Sequence, residues 1–154
     1  MRSFLKHWLP VLIWLGVIFV GSTDALSAEQ TSRFLVPFLH WLKPDISPEA
    51  LAQIHFFVRK LGHITEYAIL AILLWRAVRG GTRFKTAFIA VWFGCAVVGA
   101  SDEFHQSFVA SRTAAVGDVL IDICGALVGL VICSWISGTN RKRRTNQETR
   151  KRVS

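Results

Sequence analysis

The stretch DEFHQSFVASRTAAVGDVLIDICGALVG, Asp102 to Gly129, decides how this chain is read, because it sets ionisable groups at the edge of, and inside, hydrophobic sequence. Asp102, Glu103, His105, Arg112, Asp118 and Asp122 alternate with Phe, Val, Leu and Ile, and the apolar run continues to Ile136. Charge is costly in a bilayer. An ionisable side chain within a spanning helix therefore marks a functional site when partners for it exist elsewhere in the chain.

Composition points the same way. The chain has 154 residues, room for one domain, and 52% of them are hydrophobic against 18% charged, a balance foreign to ordinary soluble proteins. A net charge of +8 would suit nucleic acid if the basic residues lined a soluble face. They lie instead at the ends of apolar segments and in the C-terminal tail, so no nucleic-acid partner is expected. Cys95, Cys124 and Cys133 fall within apolar runs without metal-type spacing and read as small buried side chains, not as a disulfide framework.

Apolar segments over about residues 8–23, 61–78, 84–100 and 114–136 predict an all-α polytopic membrane protein: a bundle of four transmembrane helices plus an amphipathic segment outside the bilayer core. The first segment is short for a span, and its basic start and TDALSA sequence also fit a cleavable signal peptide. Phe34, Leu35, Phe38, Leu39, Trp41 and Leu42 share one helical face, with Arg33, Pro37 and His40 off it. That pattern fits a helix lying at the interface or packed outside the membrane. Ser47, Pro48 and Glu49 then form a helix-start signal. The helix they open meets no strong breaker before Val78, and over that stretch it is about 46 Å long. A hydrocarbon core is roughly 30 Å, so its first turns stand proud of the membrane or it bends near Gly62.

Small residues at Gly94, Cys95, Gly99 and Ala100, and a GxxxG at Gly125 and Gly129, predict close helix contacts. Residues 1–137 make up the membrane domain. Residues 138–154, GTNRKRRTNQETRKRVS, read as a disordered basic tail, attracted to anionic lipid by about 1 kcal/mol per basic residue near the surface.

Lys and Arg number two before the first segment, four between the first and second, four around the second connection (Arg76, Arg79, Arg83, Lys85), one between the third and fourth, and seven in the tail. The positive-inside bias then predicts a multi-pass protein of the bacterial cytoplasmic (inner) membrane with both termini and the 76–85 connection in the cytoplasm. On that topology the unusual residues gather at the outer end. Asp24 closes the first segment; Arg59, Lys60, His63 and Glu66 open the second. Asp102 to Gln106 close the third, and Arg112, Asp118 and Asp122 open the fourth. Spacings of three and four place His63, Glu66 and Tyr67 on one face, and likewise Asp102, His105 and Gln106, while Asp118 and Asp122 lie one turn apart. Asp122 sits roughly 9 Å into the bilayer, with Lys60, His63, His105 and Arg112 as available counter-charges.

These residues resemble those of the VanZ-like family, small bacterial membrane proteins named for a member associated with teicoplanin resistance. The resemblance covers about residues 8–136. The block DEFHQSFVASR followed by DVLIDICGALVG is similar to the family's DE-x-HQ, Arg, Asp and Gly pattern, and KLGHITEYAIL to its Lys, His and Tyr segment. By resemblance Lys60, His63, Tyr67, Asp102, Glu103, His105, Gln106, Arg112, Asp118 and Gly125 carry the polar signature. Ala110 and Ser111 stand where a Pro-Gly turn usually precedes the Arg, and Asp122 where Asn is usual. The family name implies envelope biology without a defined reaction.

The leading expectation is an outward-facing intramembrane site that binds or modifies a cell-envelope molecule, a lipid-linked precursor or a glycopeptide-type ligand. Arg112 and Lys60 would hold phosphate or carboxylate, with His63, Tyr67, Asp102, Gln106 and Asp122 as further binding residues. Glu103, His105 and Asp118 are the candidate acids and bases. Three alternatives stand beside it. His63, Glu66, Asp102, Glu103 and His105 offer ligands for a divalent metal; Asp118 and Asp122 would suit a proton or cation relay; or the charges only fix helix register. No cofactor and no reaction follow from the residues alone.

Overall fold

The computed structural model describes residues 2–23, 28–109 and 115–153. Five α-helices account for most of them: α1 (Arg2–Gly21), α2 (Ala28–Leu42), α3 (Pro48–Val78), α4 (Phe84–Gln106) and α5 (Val116–Val153), with a single 3-10 turn at Arg79–Gly81. Four stretches, Phe4–Gly21, Pro48–Val78, Phe84–Gln106 and Val116–Thr139, are long and apolar enough to cross a membrane. The protein is thus an all-α, multi-pass membrane protein.

Helix α3 is the centre of the bundle. It touches each of the other four helices, most extensively α5. Its start follows from local chemistry: Ser47 holds an extended backbone and its Oγ accepts from Ala50 N at 3.3 Å, with Pro48 in the first turn. From there it runs unbroken to Val78 as the sequence predicts. The buried core along it comprises Tyr67, Leu70, Ala71 and Trp75, against Val11 and Ile18 of α1, Ala87, Val91 and Cys95 of α4, and Ala126, Leu130 and Cys133 of α5. Outward faces are apolar too. Leu12, Ile13, Ile89, Phe93, Val131 and Trp135 are all more than half exposed, the pattern of helices whose surroundings are lipid.

The GxxxG of α5 is where the two principal helices meet. A Cβ on Gly125 would lie 2.5 Å from Ile64 O, and one on Gly129 2.3 Å from Ala68 O, so only hydrogen fits at either place. Residues 60, 64 and 68 of α3, and Arg79 just after it, meet 118, 125, 129 and 137 in the same order, so α3 and α5 run parallel. Helix α1 runs opposite to α3: Trp14 Nε1 donates to Glu66 O at 2.9 Å, while near the other end Arg76 Nη2 donates to Lys6 O at 3.5 Å. One end of the bundle therefore holds the end of α1, the first half of α3, the last turns of α4 and the start of α5. The opposite end holds Lys6, Arg76, Arg79, Arg83 and Lys85.

Three details differ from the sequence reading. The third segment, expected to end near residue 100, runs on through Asp102 to Gln106 as the last turn of α4; polar residues continue a helix once the chain leaves the hydrocarbon. Helix α5 continues to Val153 through the stretch expected to be disordered. After Gly138 that stretch has no Gly or Pro and is rich in Arg, Lys, Gln and Glu, which favour helix. Cys124 is exposed, unlike the buried Cys95 and Cys133, because it falls on the outer face of α5. Helix α2 forms as predicted, with Phe34 81% and Trp41 78% exposed and Leu35 and Leu39 turned partly inward.

Candidate functional site

The polar residues assemble at the end of the bundle away from the 76–85 connection, and they do so in two layers. The inner layer is built on α5. Asp118 is 1% exposed and accepts from Arg59 Nη2 at 3.1 Å and from Lys60 Nζ. Asp122, one turn deeper and equally buried, accepts from His63 Nδ1 at 2.8 Å. The other imidazole nitrogen, Nε2, lies 3.9 Å from Asp118 Oδ2. Arg59, Lys60 and His63 occupy consecutive positions around α3, so one helix supplies the counter-charges for both aspartates of another. Gly99 of α4 makes room for this, since a Cβ there would come within 3.2 Å of Asp122 Oδ2. Tyr67, wholly buried, lies beside the same point.

The outer layer encloses a cavity of about 380 Å³. Its wall takes Gly21 and Ser22 from the end of α1, Thr31 from α2, residues from His55 to Glu66 on α3, and Asp102 and Gln106 from α4. Ser32 Oγ lies 3.5 Å from His55 Nε2 and ties α2 to this wall. Asp102 is held from two sides: Ser22 Oγ donates to Oδ1, and Gln106 Nε2 donates to Oδ2 at 2.8 Å. Arg59 and His63 belong to both layers, each facing the cavity while bonded to a buried aspartate behind it.

Of the residues expected at the site, His63, Asp102 and Gln106 line the cavity, as does Glu66. Lys60, Tyr67, Asp118 and Asp122 stand behind its wall. Glu103 and His105 lie apart from it on α4: Glu103 Oε1 accepts from Ala115 N at the start of α5, and the His105 ring packs on Phe19 of α1 with centroids 4.8 Å apart. Arg112 lies outside the described residues, as does Asp24. The metal set is not assembled: among the described residues no three His, Cys, Asp or Glu side chains converge as ligands. His63 is turned to Asp122 and His105 to Phe19, so the two imidazoles serve different helix contacts.

Several site residues were not legible as such. Arg59 is counted in the sequence among the charges gathering at the outer end but not among the binding residues, although its spacing of three, four and seven from Gly62, His63 and Glu66 places all four on one face. Ser22 lies just before the TDALSA stretch that resembles a cleavage site, and nothing in the order of residues couples it to Asp102, eighty positions away. His55 and Thr31 carry no signal of their own.

Buried polar groups without partners concentrate here. Asp122 Oδ2, Gln106 Oε1, Tyr67 Oη, Glu103 Oε2, Arg59 Nε and His105 Nδ1 have no hydrogen-bond partner among the described residues. Native proteins leave few such groups except where water or a ligand completes them.

The fold and site define a multi-pass membrane protein with four spanning helices and a polar cavity, backed by buried ion pairs, at one end of the bundle. The chain belongs to the VanZ/LLP1 family, whose model matches residues 7–137. No curated protein and no solved structure matches it significantly.

Proposed function

We propose that the protein binds a cell-envelope molecule, of the lipid-linked-precursor or glycopeptide type, in the cavity between α1, α2, α3 and α4, and that the cavity faces outward from a bacterial cytoplasmic membrane. The observation that carries this reading is the cavity itself. At about 380 Å³ it falls in the range of small-molecule sites, roughly 300–1,000 Å³, and six of its wall residues, His55, Arg59, His63, Glu66, Asp102 and Gln106, are polar groups converging from two helices. Charges used only to fix helix register would need no such space beside them.

The outward orientation rests on charge. The end of the bundle opposite the cavity carries Lys6, Arg76, Arg79, Arg83 and Lys85, and the basic 141–152 stretch follows it along α5, as expected for cytoplasmic ends contacting anionic lipid. The resemblance to a family named for a teicoplanin-resistance-associated member supports a role in glycopeptide resistance. Modification of the bound molecule has one specific support: His63, held at Nδ1 by Asp122 and reaching the cavity wall, is oriented as an acid or base.

Gly62 supplies the test. It lines the cavity, and a Cβ added there meets nothing within 4 Å. Gly62→Leu therefore starts from an unobstructed Cβ and places an apolar side chain at the cavity wall. In a host whose teicoplanin susceptibility responds to the wild-type chain, Gly62→Leu at equal membrane abundance is expected to abolish the response; an unchanged response refutes the proposal.

A further inference from the structure

The cavity wall carries charge of both signs on different helices. On α3, Arg59 and Lys60 both contact the carboxylate of Asp118, and Glu66 adds a further carboxylate to the cavity wall, so the positive charge offered to the cavity is that of Arg59 alone. Arg59 spends only Nη2 on Asp118 and remains 31% exposed. On α4, Asp102 accepts from two neutral donors, Ser22 and Gln106, and touches no cation among the described residues. Beside it Gln106 is 1% exposed and lines the cavity, with an amide oxygen that has no partner among the described residues. A ligand bearing only an anion would meet Asp102 and Glu66; one bearing only a cation would leave the Arg59 guanidinium, whose Nε has no partner among the described residues, incompletely bonded. Complementarity calls for both groups in one molecule.

The apolar part of the wall indicates how such a molecule arrives. Phe56 and Val58 line the cavity yet are 57% and 42% exposed on the outer surface of α3. They lie on a helix long and apolar enough to span the membrane. Helix α2, whose Thr31 closes the same cavity, exposes Phe34, Phe38 and Trp41, a face suited to the interface between headgroups and acyl chains. The polar cavity thus opens beside apolar surface that is continuous with lipid.

We infer that the cavity takes the zwitterionic headgroup of a membrane amphiphile, with its phosphate on Arg59 and its ammonium on Asp102 and Gln106, while the acyl chains lie along Phe56 and Val58. This rests on the binding reading above and names the ligand class within it. A phosphoethanolamine glycerophospholipid is the simplest molecule of the kind.

The test is native mass spectrometry of the full chain in detergent, titrated with three lipids of equal acyl composition. One carries phosphoethanolamine, one the same headgroup with its amine acetylated, and one phosphoglycerol. The first is expected to bind at least tenfold more tightly than the other two. Asp102→Asn is expected to remove its advantage over the acetylated lipid, and Arg59→Gln to weaken the phosphoethanolamine and phosphoglycerol lipids alike. Equal binding of the first two lipids by the wild-type chain overturns the inference, and since that arm alters the ligand alone, no folding defect can mimic it. If those two lipids bind equally and Gly62→Leu still abolishes the binding, the ligand class is wrong and the cavity reading stands. If Gly62→Leu leaves the binding of every lipid unchanged, the cavity reading falls with it.

Discussion

Replacing Gly129 by Ala tests the packing on which the site depends. In the native bundle the added Cβ would sit 2.3 Å from Ala68 O, where ordinary contact begins at 3.4 Å, and its neighbour is helix backbone that cannot rotate away. Helix α5 must then retreat from α3 by roughly 1 Å, an overpacking strain of about 1–3 kcal/mol. The upper end is expected here, because packing is the main force joining helices in lipid. The same retreat lengthens the 2.8 Å contact between His63 and Asp122, one to two turns away, beyond hydrogen-bonding distance. Gly125→Ala, at 2.5 Å from Ile64 O, acts on the same interface, so the double variant is expected to cost less than the two single costs together. Gly94→Ala is the control: its Cβ meets nothing within 4 Å, and Ala in a helix interior is favoured over Gly by about 0.5–1 kcal/mol. The assay is thermal or denaturant unfolding in a fixed detergent, followed by tryptophan fluorescence. A Gly129→Ala protein as stable as Gly94→Ala would refute the close approach of α3 and α5.

Three further outcomes are expected. Asp118→Asn leaves Arg59 and Lys60 facing a neutral group and is expected to cost about 3 kcal/mol or more in the same unfolding assay; adding Lys60→Met should recover part of that loss, and a double variant no better than the single one counts against the pairing. Trp14→Phe removes the bond to Glu66 O and is expected to lower stability by about 1 kcal/mol, checked by a shift in melting temperature. In a chain whose three cysteines are replaced by Ala, Ser107→Cys should react with an impermeant maleimide on intact cells, whereas Arg83→Cys should react only after the membrane is opened; the reverse pattern would invert the orientation.

The order of residues by itself determined that this chain is a helical membrane protein. Apolar runs of spanning length leave the backbone no option but helix in lipid, the Ser47-Pro48-Glu49 start opens α3 where expected, and the order of the family's polar residues is legible without coordinates. It also marked Asp118 and Asp122 as needing partners, since an unpaired charge grows more costly with depth in the bilayer. Which partners they take was decided only in three dimensions. Asp122 pairs with His63 and Asp118 with Arg59 and Lys60 because Gly125 and Gly129 let α5 approach α3 in one register, set by backbone contacts at Ile64 and Ala68. Ser22 joins Asp102, while Glu103 and His105 turn from the cavity to Ala115 and Phe19, because the rotation of α4 is set by its packing against α5 and α3. Periodicity names the face a residue shares; only packing between helices says what that face meets.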